Sequence, residues 1–219
     1  MNRKFLRGLA AAALAALLAT TAGATGDSAA VARYDFNVYL GDKKLGRHTF
    51  EVTARGEQKV VRSEAEFVYK VLFIPAYRYE HENSERWADN CLLEFDAQTY
   101  DNGERIRASG EKTGDGFEVV KPGGREELPA CVMSFAYWNP DFLKEQRLLN
   151  PQTGEYLEVT VEALPDQPFE IRGRQIPAQP YRITAEGVEL TVWYAAKDRR
   201  WLGLESVADG DKVLKYVPA

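Results

Sequence analysis

The chain contains 219 residues, of which 28 are basic and 33 acidic, and its net charge is −5. A chain of this charge is repelled, on average, by nucleic acid and by anionic membrane surfaces, although a local basic patch can override the mean. Beyond the N-terminal region, no apolar stretch approaches the ~20 residues of a transmembrane helix. These features argue against a nucleic-acid-binding protein and against a protein with transmembrane helices.

The first 24 residues have the pattern of a secretory signal peptide. Three basic residues precede an apolar run from Gly8 to Ala19, which is too short to span a bilayer, and three small residues follow at positions 22–24. No cysteine lies at this point to accept a lipid. We expect cleavage after residue 24, which takes the net charge to about −8, and a mature protein in the periplasm, with secretion as the lesser alternative.

Export determines the expected state of the only two cysteines, Cys91 and Cys131. Cysteines of exported proteins tend to pair, so a disulfide between them is expected. The alternative is a redox or nucleophilic cysteine. Neither a Cys-x-x-Cys motif nor a local basic cluster is present to support that alternative.

The strand pattern begins after residues 25–33, which are expected to form a flexible N-terminal segment. From Tyr34 to Leu40 apolar and polar residues alternate, and after a turn containing two glycines and two lysines the alternation returns with His48, Phe50 and Val52 on one face. This arrangement is typical of a half-buried antiparallel hairpin.

A longer strand is predicted from Val61 to Phe73, because its alternate side chains are apolar. Pro75 interrupts this pattern, since proline cannot donate to a β-ladder, and the chain is expected to bend or turn at residues 74–76 before a second strand. Turn signals rich in Gly, Asp and Asn then separate further short strands, which predicts additional antiparallel hairpins.

One segment departs from the strand pattern, between Cys131 and Asn150, where aromatic residues recur at helical spacing. Asn139 is a suitable N-cap and Pro140 suits the first helical position, so one short helix is predicted near 140–147. Beyond it the strand pattern resumes to the C-terminus. The predicted fold is therefore a single all-β domain over residues 34–219, built from a large curved antiparallel sheet that forms a β-roll or open barrel.

One strand carries the most suggestive face for ligand binding. Between positions 77 and 87 its alternate side chains are Tyr77, Tyr79, His81, Asn83, Glu85 and Trp87. Aromatic area next to hydrogen-bonding groups suits an amphiphilic ligand, although tyrosines that simply line a barrel wall give the same pattern. Tyr137 and Trp138 either close the end of the core or form the mouth of a cavity. The candidate ligand-binding residues are Tyr77, Tyr79, His81, Trp87, Tyr137 and Trp138.

The sequence assigns no catalytic residue. His81 and Glu85 are candidates for acid–base chemistry, but four strand residues separate their Cα atoms by roughly 13 Å, so they cannot contact each other. His48 alternates with apolar residues and is expected to be a packed or edge side chain. No cofactor motif is present, and two histidines without clustered carboxylates argue against a zinc site.

Three segments resemble a bacterial exported family known as domain of unknown function 6134. They are CVMSFAYWNP at 131–140, LLNPQTGE at 148–155 and VWYAAKDRRWLGLES at 192–206. The opening YDFNVYLGDKKLGRHTFEV at 34–52 also resembles the exported family numbered 3108. The resemblance implies an all-β roll or barrel in the envelope of a bacterium with an outer membrane. It implies no known activity.

Three functions remain compatible with these observations. The first is a non-enzymatic periplasmic protein that binds or shelters an amphiphilic envelope component, such as a lipid or a lipidated molecule. The second is an enzyme acting on envelope glycan or lipid, with His81 or a carboxylate as general base. The third is a structural or assembly partner without a ligand. A cavity would favour the first function, and an exposed apolar patch the third.

Overall fold

A computed structural model of the chain describes residues 30–208 and 212–219. The predicted signal peptide lies outside these residues. The strands, in chain order, are β1 Ala30–Leu40, β2 Lys43–Arg55, β3 Gln58–Val71, β4 Ile74–Ala88, β5 Cys91–Asp101, β6 Glu104–Thr113, β7 Gly116–Lys121, β8 Gly124–Pro129, β9 Arg147–Asn150, β10 Glu155–Glu158, β11 Thr160–Ala163, β12 Gln167–Ile171, β13 Arg174–Ala185, β14 Val188–Ala195, β15 Trp201–Ala208 and β16 Lys212–Pro218. A 3-10 helix spans Pro140–Lys144.

Fourteen of the described strands form one antiparallel sheet. Its order is β11-β13-β14-β15-β16-β1-β2-β3-β4-β5-β6-β7-β8, and β12 pairs with β13 next to β11. The first and last strands meet in the middle, because β1 pairs with both β16 and β2. The two ends of the sheet are not hydrogen-bonded to each other. The predicted all-β fold with a large curved, open sheet is confirmed.

Residues 130–159 form an inner segment that lies against the sheet. The segment contains the 3-10 helix and a separate β9–β10 hairpin, and its Leu149 bonds Met133 and Phe135 within the segment. Its buried side chains, which include Phe142 and Leu148, belong to the same hydrophobic cluster as the buried residues of the sheet. The sheet therefore curves around a segment of its own chain.

Aromatic packing fills much of the interior. The ring centroid of Trp201 lies 4.5 Å from that of Phe36, 5.0 Å from Phe50 and 5.4 Å from Tyr137. Trp201 is 2% exposed, and its indole N–H donates to the carbonyl of Gly203. Such contacts between β1, β2, β15 and the inner segment leave only part of the concave side open.

The disulfide predicted between Cys91 and Cys131 is confirmed, with a Cα–Cα distance of 4.9 Å. It joins the start of β5 to the start of the inner segment, and the amide of Leu92 donates to the carbonyl of Val132 beside it. The bridge thus fixes where the inner segment meets the sheet.

Three predicted boundaries differ from the structure. The first strand begins at Ala30, inside the segment expected to be flexible, because residues 30–33 already pair with β2. The helix begins as predicted, with the Asn139 side chain accepting from the amide of Asp141, but it is a single 3-10 turn that ends at Lys144. The chain turns at Leu72 and Phe73, so Pro75 belongs to β4, and the bend or turn expected at 74–76 is a register irregularity between the pairs Tyr69–Tyr77 and Lys70–Pro75. None of the described helices is long and apolar enough to cross a membrane.

Candidate functional site

The register of β2, β3 and β4 gathers polar side chains on the concave face. His48 lies opposite Ala65, which lies opposite His81, and the adjacent row pairs Ser63 with Asn83. Glu85 follows one row further along β4. Alternate residues of a strand point to the same face, so these groups share one surface with apolar neighbours.

A cavity of about 260 Å³ borders this polar surface. The strands contribute His48, Ser63, His81, Asn83 and Glu85. The opposite side is formed by the inner segment, through residues 135–138 and 150–152, and by parts of β14 and β15. Polar and apolar side chains line both sides, with Phe50 and Val61 among the polar groups of the strands and Asn150 and Gln152 near the aromatic rings opposite, so the cavity is amphiphilic.

Glu85 is the most heavily bonded polar side chain at the cavity. Its Oε1 accepts hydrogen bonds from Ser134 Oγ at 3.0 Å and Asn83 Nδ2 at 3.1 Å, and its Oε2 accepts from Trp87 Nε1 at 2.9 Å. The residue is 4% exposed. Burial raises the pKa of the Glu85 carboxyl, and the three hydrogen bonds partly oppose that shift.

Asn83 has an acceptor that the described residues leave unused. Its amide nitrogen donates to Glu85, whereas its buried Oδ1 has no hydrogen-bond partner there. A buried acceptor without a partner costs free energy of roughly 1–3 kcal/mol. Because Asn83 lines the cavity, a hydrogen-bond donor in the cavity can complete it.

Both histidines are buried and neutral at neutral pH. His48 Nε2 lies 2.9 Å from Ser63 Oγ and His48 Nδ1 lies 3.3 Å from the Tyr216 hydroxyl, while His81 Nδ1 lies 3.0 Å from Thr99 Oγ1. Burial lowers the pKa of His81 to about 4, and it lowers the pKa of His48 well below the usual 6.5. The imidazoles at the cavity are therefore uncharged, and both ring nitrogens of His48 are already bonded within the fold.

Comparison with known proteins places this fold in a family. The sequence model of the family described as Domain of unknown function (DUF6134) matches residues 36–218. The chain belongs to the DUF6134 family. This confirms the DUF6134 resemblance of the segments at 131–140, 148–155 and 192–206. No curated protein matches the chain.

The DUF6134 fold is similar to a solved structure from Brucella abortus, described as a beta-barrel-like protein of domain of unknown function DUF1849. The TM-score is 0.61 at 10% sequence identity, and the match covers 85% of this chain and 94% of that chain. At this identity the similarity concerns the fold alone. It agrees with the open, barrel-like sheet described above.

Three of the six predicted ligand-binding residues line the cavity of the DUF6134 domain. These are His81, Tyr137 and Trp138. Trp87 shares their face, but it is 1% exposed, and its ring packs against Trp138 while its N–H bonds Glu85. Tyr79 stacks on Phe67 with centroids 5.3 Å apart. The remaining residue, Tyr77, lies closer to the β3–β4 turn and does not line the cavity.

Sequence reasoning missed other lining residues. Ser63 and His48 have the strand parity of their buried neighbours, so their position on the concave face was readable from alternation. Ser134 and Gln152 gave no such signal, because they reach Glu85 and Thr99 only through the path of the inner segment. The side chain of Ser134 meets Glu85 across 49 residues of sequence.

One pair of side chains at the cavity has the spacing of a nucleophile and its base but lacks the third group of a triad. The Ser63–His48 pair has the spacing of a nucleophile and its base, but the other imidazole nitrogen faces a tyrosine hydroxyl instead of a carboxylate. Its lowered pKa makes His48 a weak base. Within residues 30–208 and 212–219, no group of three or more His, Cys, Asp or Glu side chains is arranged to hold a metal ion.

Proposed function

We propose that this protein binds, without chemically altering it, a small amphiphilic molecule of the cell envelope, or the head group of a larger one. The observation that carries the proposal is the unpaired Oδ1 of Asn83 beside an amphiphilic cavity. A donor on the ligand would satisfy this acceptor. The apolar part of the ligand would contact Phe135, Tyr137 and Trp138 on the opposite wall.

The charge state of the site selects an uncharged ligand group. The two histidines are neutral at neutral pH, and burial disfavours the charged form of Glu85. An ion in this cavity would lose its hydration without gaining a partner of opposite charge, which is costly. Hydroxyl and amide groups suit the cavity because they need hydrogen bonds alone.

The size of the cavity limits how much of a ligand enters. Sites for drug-sized molecules occupy about 300–1,000 Å³, and at about 260 Å³ this cavity is slightly smaller than that range. The rest of the interior is filled by rings such as Trp201 and Phe36. A complete two-chain lipid is therefore too large, whereas a head group or a short amphiphile fits.

The location in the envelope rests on two features. The N-terminal residues have the pattern of an export signal, and the Cys91–Cys131 disulfide is typical of a protein that matures in an oxidising compartment. Both features support a periplasmic protein and direct the search for its ligand to that compartment.

Native mass spectrometry of protein purified from its own periplasm tests this proposal. We expect a bound small molecule with wild type and a loss of at least about tenfold in its occupancy with Asn83→Leu, because that change removes the acceptor in the cavity. Asn37→Leu is the matched control, since Asn37 also has a buried, unpaired Oδ1 but does not line the cavity. Wild-type protein without any bound molecule, or equal loss in both variants, would refute the proposal.

A further inference from the structure

The turn between β3 and β4 exposes a continuous apolar surface, which we call the apolar turn (residues 71–74). Val71, Leu72, Phe73 and Ile74 are 49%, 86%, 95% and 69% exposed. Pro75 and Ala76 extend it and are also exposed. Exposed apolar residues scattered singly are ordinary, but a contiguous protruding set marks an interaction surface.

The backbone of the apolar turn is unfavourable for the residues that form it. Leu72 and Phe73 have φ angles of 46° and 73°, in the left-handed region that suits glycine and asparagine. Every other two-residue turn between described strands contains at least one Gly, Asn or Asp: Gly41–Asp42, Gly56–Glu57, Asp89–Asn90, Asn102–Gly103, Gly114–Asp115, Pro122–Gly123, Arg172–Gly173 and Glu186–Gly187. Folding alone would favour such residues at 72 and 73 as well.

Three lysines surround the base of the apolar turn. Lys43 Nζ donates to the carbonyl of Lys70 and lies 4.0 Å from the ring centroid of Tyr69, and Lys212 Nζ lies 5.9 Å from the same centroid. None of these lysines forms a salt bridge with a described residue. The surface therefore presents an apolar tip above a basic collar, Lys43, Lys70 and Lys212, that also contains a tyrosine.

We propose that the apolar turn inserts into the surface of a phospholipid bilayer that contains anionic lipids. On insertion, the Leu72 and Phe73 side chains would leave water and enter the apolar layer. The amino groups of the basic collar and the ring of Tyr69 lie behind the tip and would remain at the level of the head groups. The basic collar matches anionic head groups locally, although the chain as a whole is acidic. A convex tip also suits a fluid bilayer, which deforms around it without a preformed pocket.

This surface is separate from the cavity. Leu72 at the turn follows Ser63 at the cavity by nine positions, which corresponds to about 30 Å along the strand. The membrane proposal does not depend on the ligand proposal, and variants at the turn leave the cavity side chains in place.

Co-sedimentation of the purified protein with vesicles tests the membrane proposal. Vesicles of phosphatidylcholine mixed with phosphatidylglycerol should bind the wild-type protein, and the double variant L72N/F73G should bind at least about tenfold more weakly because two large apolar side chains are lost. Asn and Gly are favoured in this turn, so the variant retains the hairpin. Val120→Thr is the control, since it removes an exposed apolar residue, 39% exposed, at a different place in the sheet.

The basic collar has its own test. The double variant K70Q/K212Q should weaken binding to the mixed vesicles by about fivefold per lysine and leave any binding to pure phosphatidylcholine unchanged. Wild-type protein that ignores both kinds of vesicle, or L72N/F73G protein that binds like wild type, would overturn the proposal. A dimer in sedimentation velocity that L72N/F73G abolishes, without vesicle binding, would overturn it in favour of a second copy of the chain.

Discussion

The two ends of the β3–β4 hairpin both depart from the usual pattern of apolar residues inside and polar residues outside, and they do so in opposite ways. At the cavity end polar residues are buried, among them Ser63 at 5% and Glu85 at 4% exposure. At the turn end, apolar residues are exposed, with Leu72 at 86% and Phe73 at 95%. Both arrangements run against the hydrophobic effect, so neither follows from the needs of folding alone.

The two ends differ in how far the chain itself compensates. At the cavity end the inner segment covers the polar groups, and Ser134 supplies a hydrogen bond to Glu85. At the turn end no described residue covers Leu72 or Phe73. Among the described residues, the cavity end leaves the Asn83 acceptor and the Trp138 indole N–H without partners, which supports the proposed binding site. The turn end leaves its apolar side chains exposed, which supports the proposed membrane contact.

Removal of the disulfide should have the largest effect, and it should act on the cavity end. The double variant C91S/C131S releases a loop with a sequence separation of 40 residues, which should lower the free energy of unfolding by about 4 kcal/mol. Urea denaturation measures this change. Binding of the cavity ligand should weaken as the inner segment loses its anchor, while vesicle binding by the apolar turn should persist. A loss below about 1 kcal/mol would show that hydrogen bonds alone hold the segment.

Changes at Glu85 should have the second-largest effect. They test whether hydrogen bonds compensate for the burial of the polar groups at the cavity end. Glu85→Ala leaves the donors of Asn83, Trp87 and Ser134 without their acceptor and should cost about 3 kcal/mol of unfolding free energy. Glu85→Gln should cost about 1 kcal/mol or less, because the Ser134 hydroxyl can rotate and the Asn83 amide can flip so that both accept from the new amide, while its oxygen still accepts from Trp87. Equal losses in chemical denaturation would contradict this account of the network.

The pH dependence of stability should show that the cavity end requires neutral histidines. The pKa of His81 is about 4 when folded and 6.5 ordinarily, so between these values the unfolded chain binds more protons. Stability therefore falls as the pH drops from about 6.5 towards about 4, by roughly 2 kcal/mol at pH 5 for His81 alone. The raised pKa of Glu85 acts in the opposite direction, since acid favours its protonated folded form.

Comparison with His81→Gln isolates the histidine, because Glu85 is present in both proteins. Urea denaturation at pH 5 and pH 7 should show a smaller acid-induced loss in the variant by roughly 2 kcal/mol. Parallel losses in both proteins would mean that His81 is hydrated and titrates normally when folded.

The sequence predicted those features that depend on local periodicity. Alternation along residues 77–87 placed His81 and Glu85 on one face, and Asn139 with Pro140 predicted the start of the helix. Alternation did not indicate which part of that face borders a cavity. That depends on where the inner segment crosses, and its Trp138 packs on Trp87 instead of leaving it accessible.

The difference between local periodicity and contacts between distant segments also explains the differences at the β3–β4 turn and at the end of the helix. The helix ends before residue 147 because Arg147–Asn150 pairs with Glu155–Glu158 as a strand. The capping residues at the start of the helix predict where it begins but not this pairing. The β3–β4 turn lacks the Gly, Asn or Asp of the other hairpins, so the sequence predicts no turn at Leu72 and Phe73, and Pro75 indicates only a bend or turn at 74–76. A turn that sequence rules do not recognise is here also the surface with the strongest sign of an external partner.

Replacement of the apolar turn should have the smallest effect, and one of opposite sign. L72N/F73G places at both left-handed positions the residues that a tight hairpin favours, and it removes two exposed apolar side chains. We expect a gain of about 1 kcal/mol in the free energy of unfolding, measured by urea denaturation, because backbone strain at each position is relieved and the greater entropy of glycine in the unfolded chain offsets only part of this. A stabilised variant that no longer binds vesicles would show that Leu72 and Phe73 lower the stability of the fold and serve membrane attachment instead. The turn end would then differ in function from the cavity end. A destabilised variant would instead mean that Leu72 and Phe73 pack against the fold.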